Sequence, residues 1–227
     1  MNLFVNDIPI RVLKPGKQPH PGDVSHSLDA TKEPITKARL VHHTWVNNCT
    51  VQHLDNILDL ISQQVPTDLL SLYLTVSDYA GVKTFLKNKF AIVKAAGGVI
   101  TKKDRFLMIY RMKKWDLPKG KKDNGESYRK TAQREIKEEC NVTVKQGKKI
   151  CTTWHTYTMN KRSMLKRTKW YQMELVDDSN MQPEAKEDIE EIRWMTRKEV
   201  YHALENSYKS IRFVFEEYYR GIEVVKG

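Results

Sequence analysis

The sequence has little of what would mark a secreted or membrane protein. It contains 3 cysteines, which are odd in number and scattered, so we expect neither a disulfide framework nor a zinc site. No window approaches the roughly 18 consecutive apolar residues of a membrane span. The first residues lack the basic region and apolar run of a signal peptide. These absences predict a cytoplasmic protein with reduced cysteines and no membrane partner.

Acidic residues are in the minority. The chain of 227 residues has 39 Lys and Arg against 28 Asp and Glu, which gives a formal net charge of +11. A strongly basic chain favours a polyanionic partner. A phosphate-rich small molecule and a nucleic acid both meet this description, and charge alone does not separate them. We favour the small molecule.

Residues 120–142 form the most informative segment. They contain a Gly, five residues, a Glu, seven residues and then Arg-Glu-Ile-Lys-Glu-Glu. The run after Ser127 has no Gly or Pro and is rich in helix-forming residues, which predicts a helix with Ser127 as its N-cap. Asn141 follows as a left-handed stop, and Ala132 and Ile136 form a narrow apolar stripe.

In such a helix, three glutamates lie on one face. Glu135, Glu138 and Glu139 stand at i, i+3 and i+4, so their side chains fall within about 5–6 Å of each other. Like charges at this spacing repel, and a divalent cation such as Mg²⁺ or Mn²⁺ would remove that cost. An ordinary solvated helix is the alternative. The fixed offsets of Gly120 and Glu126, and the basic turn in front, count against it.

The segment resembles the Nudix box, whose pattern is GX5EX7REUXEEXGU with U an apolar residue. The matching positions are Gly120, Glu126, Arg134, Glu135, Ile136, Glu138, Glu139 and Val142. Asn141 stands where the family has its final Gly, which serves backbone geometry. Residues 115–120 and 95–100 are also similar to the turn and the first strand of such domains. The likeness covers about residues 90–203.

The resemblance implies a fold and a set of roles. The fold would be an α/β (α+β) Nudix-type α/β/α sandwich with a mixed sheet. Glu135 would be a metal ligand and a candidate base, and Arg134 and Glu126 would orient the glutamates and the helix start. The implied metal ligands are Glu135, Glu138, Glu139 and the carbonyl oxygen of Gly120 (or that of Lys119).

Further side chains could complete a site of this kind. In the family a later loop often adds an acid, and residues 183–191 occupy the matching place here, with Glu187 as first choice and Asp188 as second. A solvated acidic loop is the alternative. Lys119 and Lys121 flank the turn, and Lys166 and Arg167 lie in a basic stretch resembling a hairpin. These four are candidates for phosphate contact, although a basic surface hairpin also explains the last two.

The organisation suggests two domains. Residues 1–88 read as a small α/β domain of unknown role, and residues 89–227 as the Nudix domain with C-terminal helices. In the first half we expect a strand pair within residues 1–14, a long loop over 15–36 and a strand over 38–42. In the second half, a last helix begins near Ser210, with Gly221 as a suitable stop.

Taken together, the residues predict a metal-dependent hydrolase that cleaves a diphosphate linkage. Its substrate would be a nucleoside diphosphate joined to another moiety, such as a dinucleoside polyphosphate or a nucleotide sugar. The alternative is a nucleotide-sensing regulatory or binding protein on the same scaffold. For the first 88 residues, a homodimer interface and a lid over the substrate are both open.

Overall fold

A computed structural model describes the backbone of residues 1–226 and the side chains of residues 1–222. The chain divides into two units, which are described separately. One comprises residues 1–92 and 154–166, and the other residues 93–153 and 167–227. The hairpin segment 154–166 therefore groups with the first unit, although it is distant from it in sequence. A domain boundary at residue 88 stays a prediction.

The first unit is a small sheet with two helices. Its elements are β1 (Asn2–Val5), β2 (Ile8–Leu13), β3 (His26–Asp29), β4 (His42–Cys49), α1 (Val51–Gln63), β5 (Leu69–Val76) and α2 (Tyr79–Lys89). β1 pairs antiparallel with β2, and parallel pairing then follows in the order β2, β5, β4, β3. The apolar face of α1, with Leu54, Ile57, Leu58 and Ile61, is buried against this sheet.

Two predictions in this unit are wrong. No strand covers residues 38–42, because Lys37–Arg39 form a 3-10 helix and β4 starts at His42. The buried side chains of β4 are those of Thr44, Val46 and Cys49, so the apolar pair at 40–41 lies before the strand and not in it. The predicted loop over 15–36 contains β3. Leu28 is the one buried residue of this strand, so no apolar alternation marks it in the sequence.

The second unit carries the glutamate helix. Its elements are β6 (Ala91–Lys102), β7 (Arg105–Arg111), β8 (Lys114–Asp116), β9 (Lys119–Lys121), α3 (Tyr128–Cys140), β10 (Thr143–Met159), β11 (Arg162–Asp177), β12 (Ile189–Thr196), α4 (Arg197–Ala203) and α5 (Lys209–Lys226). The ends of β6, β10 and β11 that fall within residues 91–92 and 154–166 belong to the first unit. The strand order is β12, β7, β6, β11, β10, with β8 on β7 and β9 on β6.

Helices cover both faces of this sheet. Successive side chains of a strand point to opposite faces, and β7 shows the consequence. Leu107 belongs to the core that includes Ala132 and Ile136 of α3. Phe106 meets Phe215 of α5 edge to face, with 5.6 Å between ring centroids. The sheet therefore lies between helices, which confirms the predicted α/β/α sandwich and the apolar stripe of α3.

The predicted ends of α3 are confirmed, whereas that of α5 is wrong. The Ser127 hydroxyl accepts a hydrogen bond from the backbone N–H of Lys130 at 3.3 Å. Asn141 adopts the left-handed conformation, with φ 52°. α5 continues through Gly221 to Lys226, because a glycine inside a helix costs only about 1 kcal/mol. Within the described residues, no helix has the length and apolar character needed to cross a membrane.

Candidate active site

The site is built on a close approach between α3 and β9. Gly120 lies in β9, which pairs with β6, and the Glu135 carboxylate lies directly over its α-carbon. A β-carbon at position 120 would overlap that carboxylate. A side chain at position 120 would therefore displace the Glu135 carboxylate from this place. Its φ angle is not among the positive ones.

Arg134 connects the glutamates of the box. Its Nη1 lies 2.9 Å from Oε1 of Glu135 and 2.7 Å from Oε2 of Glu138, and its Nε donates to Glu126 at 3.2 Å. Glu126 also accepts a hydrogen bond from the buried Thr131 hydroxyl at 2.8 Å. The hydrogen bond from Arg134 is the main cause that lowers the pKa of Glu126. One guanidinium thus ties the loop before α3 to the acidic face of the helix.

Glu139 is the buried acid of the site. Its side chain accepts a hydrogen bond from the backbone N–H of Lys119 at 2.9 Å and one from Nη1 of Arg111 at 3.3 Å. Burial raises the pKa of Glu139 to about 7, although the charges of Lys119 and Arg111 act in the opposite direction. Glu139 therefore joins α3 both to the turn at residue 119 and to the end of β7.

Glu135 is half-buried, and neighbouring acids act on it. Burial raises its pKa, the charge and hydrogen bond of Arg134 lower it, and the negative charges of Glu138 and Glu187 raise it again. Glu187 comes from the loop before β12, is about half exposed and lies 4.0 Å from Nη2 of Arg111. The loop acid chosen from the sequence therefore lies close enough to Glu135 for the two charges to interact.

The four basic candidates do not converge. The Lys119 side chain forms an ion pair with the buried carboxylate of Asp116, and Lys121 is exposed beside the site on β9. Arg167 hydrogen-bonds to the Tyr128 hydroxyl at the start of α3. Lys166 belongs to the first unit, where it lies over the ring of Tyr157 at 5.7 Å. The structure thus places two of the four beside Gly120.

The donor set suits a hard divalent cation. Mg²⁺ and Mn²⁺ prefer carboxylate and carbonyl oxygens, and the repulsion among Glu135, Glu138 and Glu187 is a cost that such a cation would relieve. Across the described residues, no three acidic, His or Cys side chains stand in the geometry of a metal site. The carboxylates of Glu135 and Glu138 instead both pair with Nη1 of Arg134.

Two residues of the site were not identified from sequence. Arg111 contacts Glu139 and approaches Glu187, and Asp116 holds Lys119. The available signals were an arginine ending the apolar strand β7 and an acid beside the Leu-Pro-Lys-Gly turn. Both signals are weak without the fold, because strand ends and turns commonly carry charged residues.

The chain is similar to a known protein family and to several solved structures. The family model for the NUDIX domain matches residues 92–215, more than half of the chain. No curated protein sequence matches the chain. Similar solved structures include a C. elegans Ap4A hydrolase (25% identity, TM-score 0.46, covering 58% of this chain and 98% of that one). Another is the MutT protein from Methanosarcina mazei Go1 (20% identity, TM-score 0.48, covering 59% and 96%).

The family assignment rests on the match of the domain model, which spans the whole acidic helix and the turn at Gly120. The chain belongs to the Nudix family of pyrophosphohydrolases.

Proposed function

We propose that the protein hydrolyses a diphosphate linkage, with Mg²⁺ or Mn²⁺ as cofactor, in a nucleoside diphosphate joined to another moiety. One observation carries the proposal. The half-buried carboxylate of Glu135 lies against Gly120, pairs with Arg134 and is repelled by Glu138 and Glu187. Carboxylates held together at such a cost are suited to binding a divalent cation and a phosphate-rich ligand.

The proposed metal ligands are Glu135, Glu138, Glu139 and the carbonyl oxygen of Gly120. These residues would hold a divalent cation, which would neutralise diphosphate oxygens and lower the pKa of a bound water molecule. Arg134 keeps the carboxylates of Glu135 and Glu138 in one orientation through two short ion pairs. Glu126 keeps Arg134 in place, and its own position is set by Thr131.

A proton acceptor for the attacking water is the second requirement. Glu135 and Glu187 are the two proposed acceptors, since each is an acid beside the site and their charges interact. Glu187 is the more exposed of the two, so it can reach a ligand that enters from solvent. The ion pair with Arg111 limits the positions that this loop acid can take.

Positive charge around the turn would bind the substrate phosphates. Lys121 is exposed and able to turn toward a ligand. Lys119 would have to leave Asp116 to do so, which makes it the costlier contact because a buried partner would lose its counter-charge. Arg167 lies in β11 and contacts Tyr128 at the start of α3, and we propose that it binds a substrate phosphate there. Lys166 stays a prediction.

The test is a hydrolysis screen of diphosphate compounds with each metal, in which release of phosphate-bearing products is measured. Glu139→Gln is the diagnostic variant, and Glu174→Gln, at an exposed position of β11, is its matched control. We expect Glu139→Gln to lower turnover by about 10²-fold or more, whereas the control keeps wild-type activity. Full activity in Glu139→Gln would show that the ligand assignment is wrong.

The same screen separates the enzyme from the alternative function. A nucleotide-sensing protein on this scaffold would bind compounds of the panel without releasing products. The division at residue 88, a cytoplasmic location and a homodimer stay predictions. The choice among dinucleoside polyphosphates, nucleotide sugars and related compounds depends on the outcome of the screen.

A further inference from the structure

Positively charged side chains surround Tyr128 at the start of α3. The amino nitrogen of Lys169 lies 3.9 Å from the centre of the Tyr128 ring, and that of Lys122 lies 5.9 Å from it. The guanidinium carbon of Arg167 lies 5.4 Å from the same centre, and this side chain also contacts the Tyr128 hydroxyl. We name these four residues the Tyr128 cluster. Three cationic groups, two from β11 and one from the loop after β9, therefore lie near one ring.

Carboxylates do not balance the two lysines of the cluster. Within the described part of the chain, neither Lys122 nor Lys169 forms an ion pair with an acid. The nearest acid in sequence, Asp123, pairs instead with Arg134 at 3.6 Å, and the Lys122 amino group donates to its backbone carbonyl at 2.8 Å. Burial lowers the pKa of Lys169, the interaction with Tyr128 raises it, and the charges of Arg167 and Lys149 lower it again. The cluster thus holds positive charge at an electrostatic cost.

The start of the helix adds to this cost. The first turn of α3 contains no acidic residue and carries Arg129 and Lys130 after Tyr128. The N-terminal end of a helix has a partial positive charge, so cations there are unfavourable and anions are favourable. An oxyanion placed at the cluster would reverse both costs together.

The cluster and the acidic site share one face of α3. Tyr128 and Glu135 are seven residues apart, which is about two helical turns and roughly 10 Å along the helix axis. We propose that the Tyr128 cluster binds a phosphate group, and that this phosphate belongs to the substrate, beyond the diphosphate bond that is cut. The assignment of this phosphate to the substrate rests on the proposed function. The substrate would then be a polyphosphate chain or a multiply phosphorylated compound.

Other ligands fit the cluster less well. A nucleobase would need a free face of the tyrosine ring, but the ammonium of Lys169 lies directly over that ring. A phosphate group offers several oxygens and more than one negative charge, which suits three cationic donors, Lys122, Arg167 and Lys169, that lie within 6 Å of the centre of one ring. The chemistry of the cluster therefore favours phosphate.

Direct binding is measured on the full chain in EDTA by titration calorimetry with inorganic tripolyphosphate. Lys169→Gln is compared with wild type and with Lys198→Gln, a control at an exposed lysine of α4. We expect Lys169→Gln to weaken binding by about tenfold or more, the effect of losing a charged donor, and the control to bind like wild type. Lys122→Gln provides a second removal of charge. Unchanged binding in both cluster variants would overturn the phosphate site.

The origin of the phosphate is tested by steady-state kinetics on two substrates. Both contain the diphosphate that is cut, and only one carries an additional phosphate group. We expect Lys169→Gln to raise KM for that substrate by about tenfold while kcat is retained, with no change for the shorter substrate. Equal effects on both substrates, or none, would overturn the assignment to the substrate. If the wild-type protein hydrolysed nothing, the proposed function would fail, whereas the calorimetry would still decide whether the cluster binds phosphate.

Discussion

The carboxylate of Glu135 covers the α-carbon of Gly120 so closely that a methyl group at position 120 would overlap it. The two residues lie on different elements, one on the acidic helix and one on a short strand. Gly120 therefore matters because it has no side chain. Its backbone freedom is not used, since it does not adopt the left-handed conformation. The position of Glu135 depends on the absence of a side chain at residue 120.

Gly120→Ala should displace Glu135 and lower kcat/KM. A misplacement of about 1 Å at a reacting group costs on the order of a hundredfold in rate, and we expect a loss of that size. The control is Gly221→Ala in α5, where an added β-carbon meets nothing within 4 Å. It should keep full activity and leave the melting temperature unchanged or slightly raised. Wild-type kinetics in Gly120→Ala would contradict the spatial argument.

Arg134→Lys should weaken both the site and the fold. Lysine keeps the charge but cannot hold Glu126, Glu135 and Glu138 at once, because it lacks the planar fork of donors. We expect a loss of about 1–3 kcal/mol in the free energy of unfolding, measured in urea, together with lower turnover.

Arg220→Lys is the matched control for this change. It alters an exposed arginine that pairs with a single acid, Glu217, at 2.5 Å, and it should cost less than about 0.5 kcal/mol. Equal losses in the two variants would show that Arg134 has no special bracing role.

Removal of divalent cations should abolish turnover and lower the melting temperature. The negative charges of Glu138 and Glu187 act on Glu135, so a bound cation relieves repulsion that exists only in the folded chain. Saturation with Mg²⁺ at a hundredfold excess over Kd should add about 2.7 kcal/mol of stability. Glu135→Gln should show a smaller gain. A Na⁺ solution of equal ionic strength controls for screening, and an identical gain there would contradict specific binding.

Glu187→Gln tests the acid of the loop before β12. If Glu187 accepts a proton in the reaction, its loss should lower kcat by about 10²- to 10⁴-fold without changing the melting temperature, because its side chain is about half exposed. Asp188→Asn is the comparison. Asp188 adopts a left-handed conformation, with φ 55°, and asparagine tolerates that geometry. A larger loss in Asp188→Asn would transfer the role to Asp188.

Features that lie within one segment could be predicted from the sequence. The N-cap at Ser127, the left-handed stop at Asn141 and the stripe of Ala132 and Ile136 were all foreseen, because each depends on residues a few positions apart. The errors came where local signals were weak. β3 has one buried residue, and α5 continues through Gly221 because a glycine inside a helix costs only about 1 kcal/mol.

The spacing of the acids along α3, and the family to which they belong, are determined by the sequence itself, because the period of an α-helix alone sets which side chains share a face. Only the tertiary structure decided three other features of the site. Arg111 pairs with Glu139, and the carboxylate of Glu135 lies against Gly120. Lys169 and Lys122 both lie near the ring of Tyr128. These contacts join residues from separate strands, turns and helices. Which of them meet depends on the order and register of strands in the sheet, and no short stretch of sequence specifies that order.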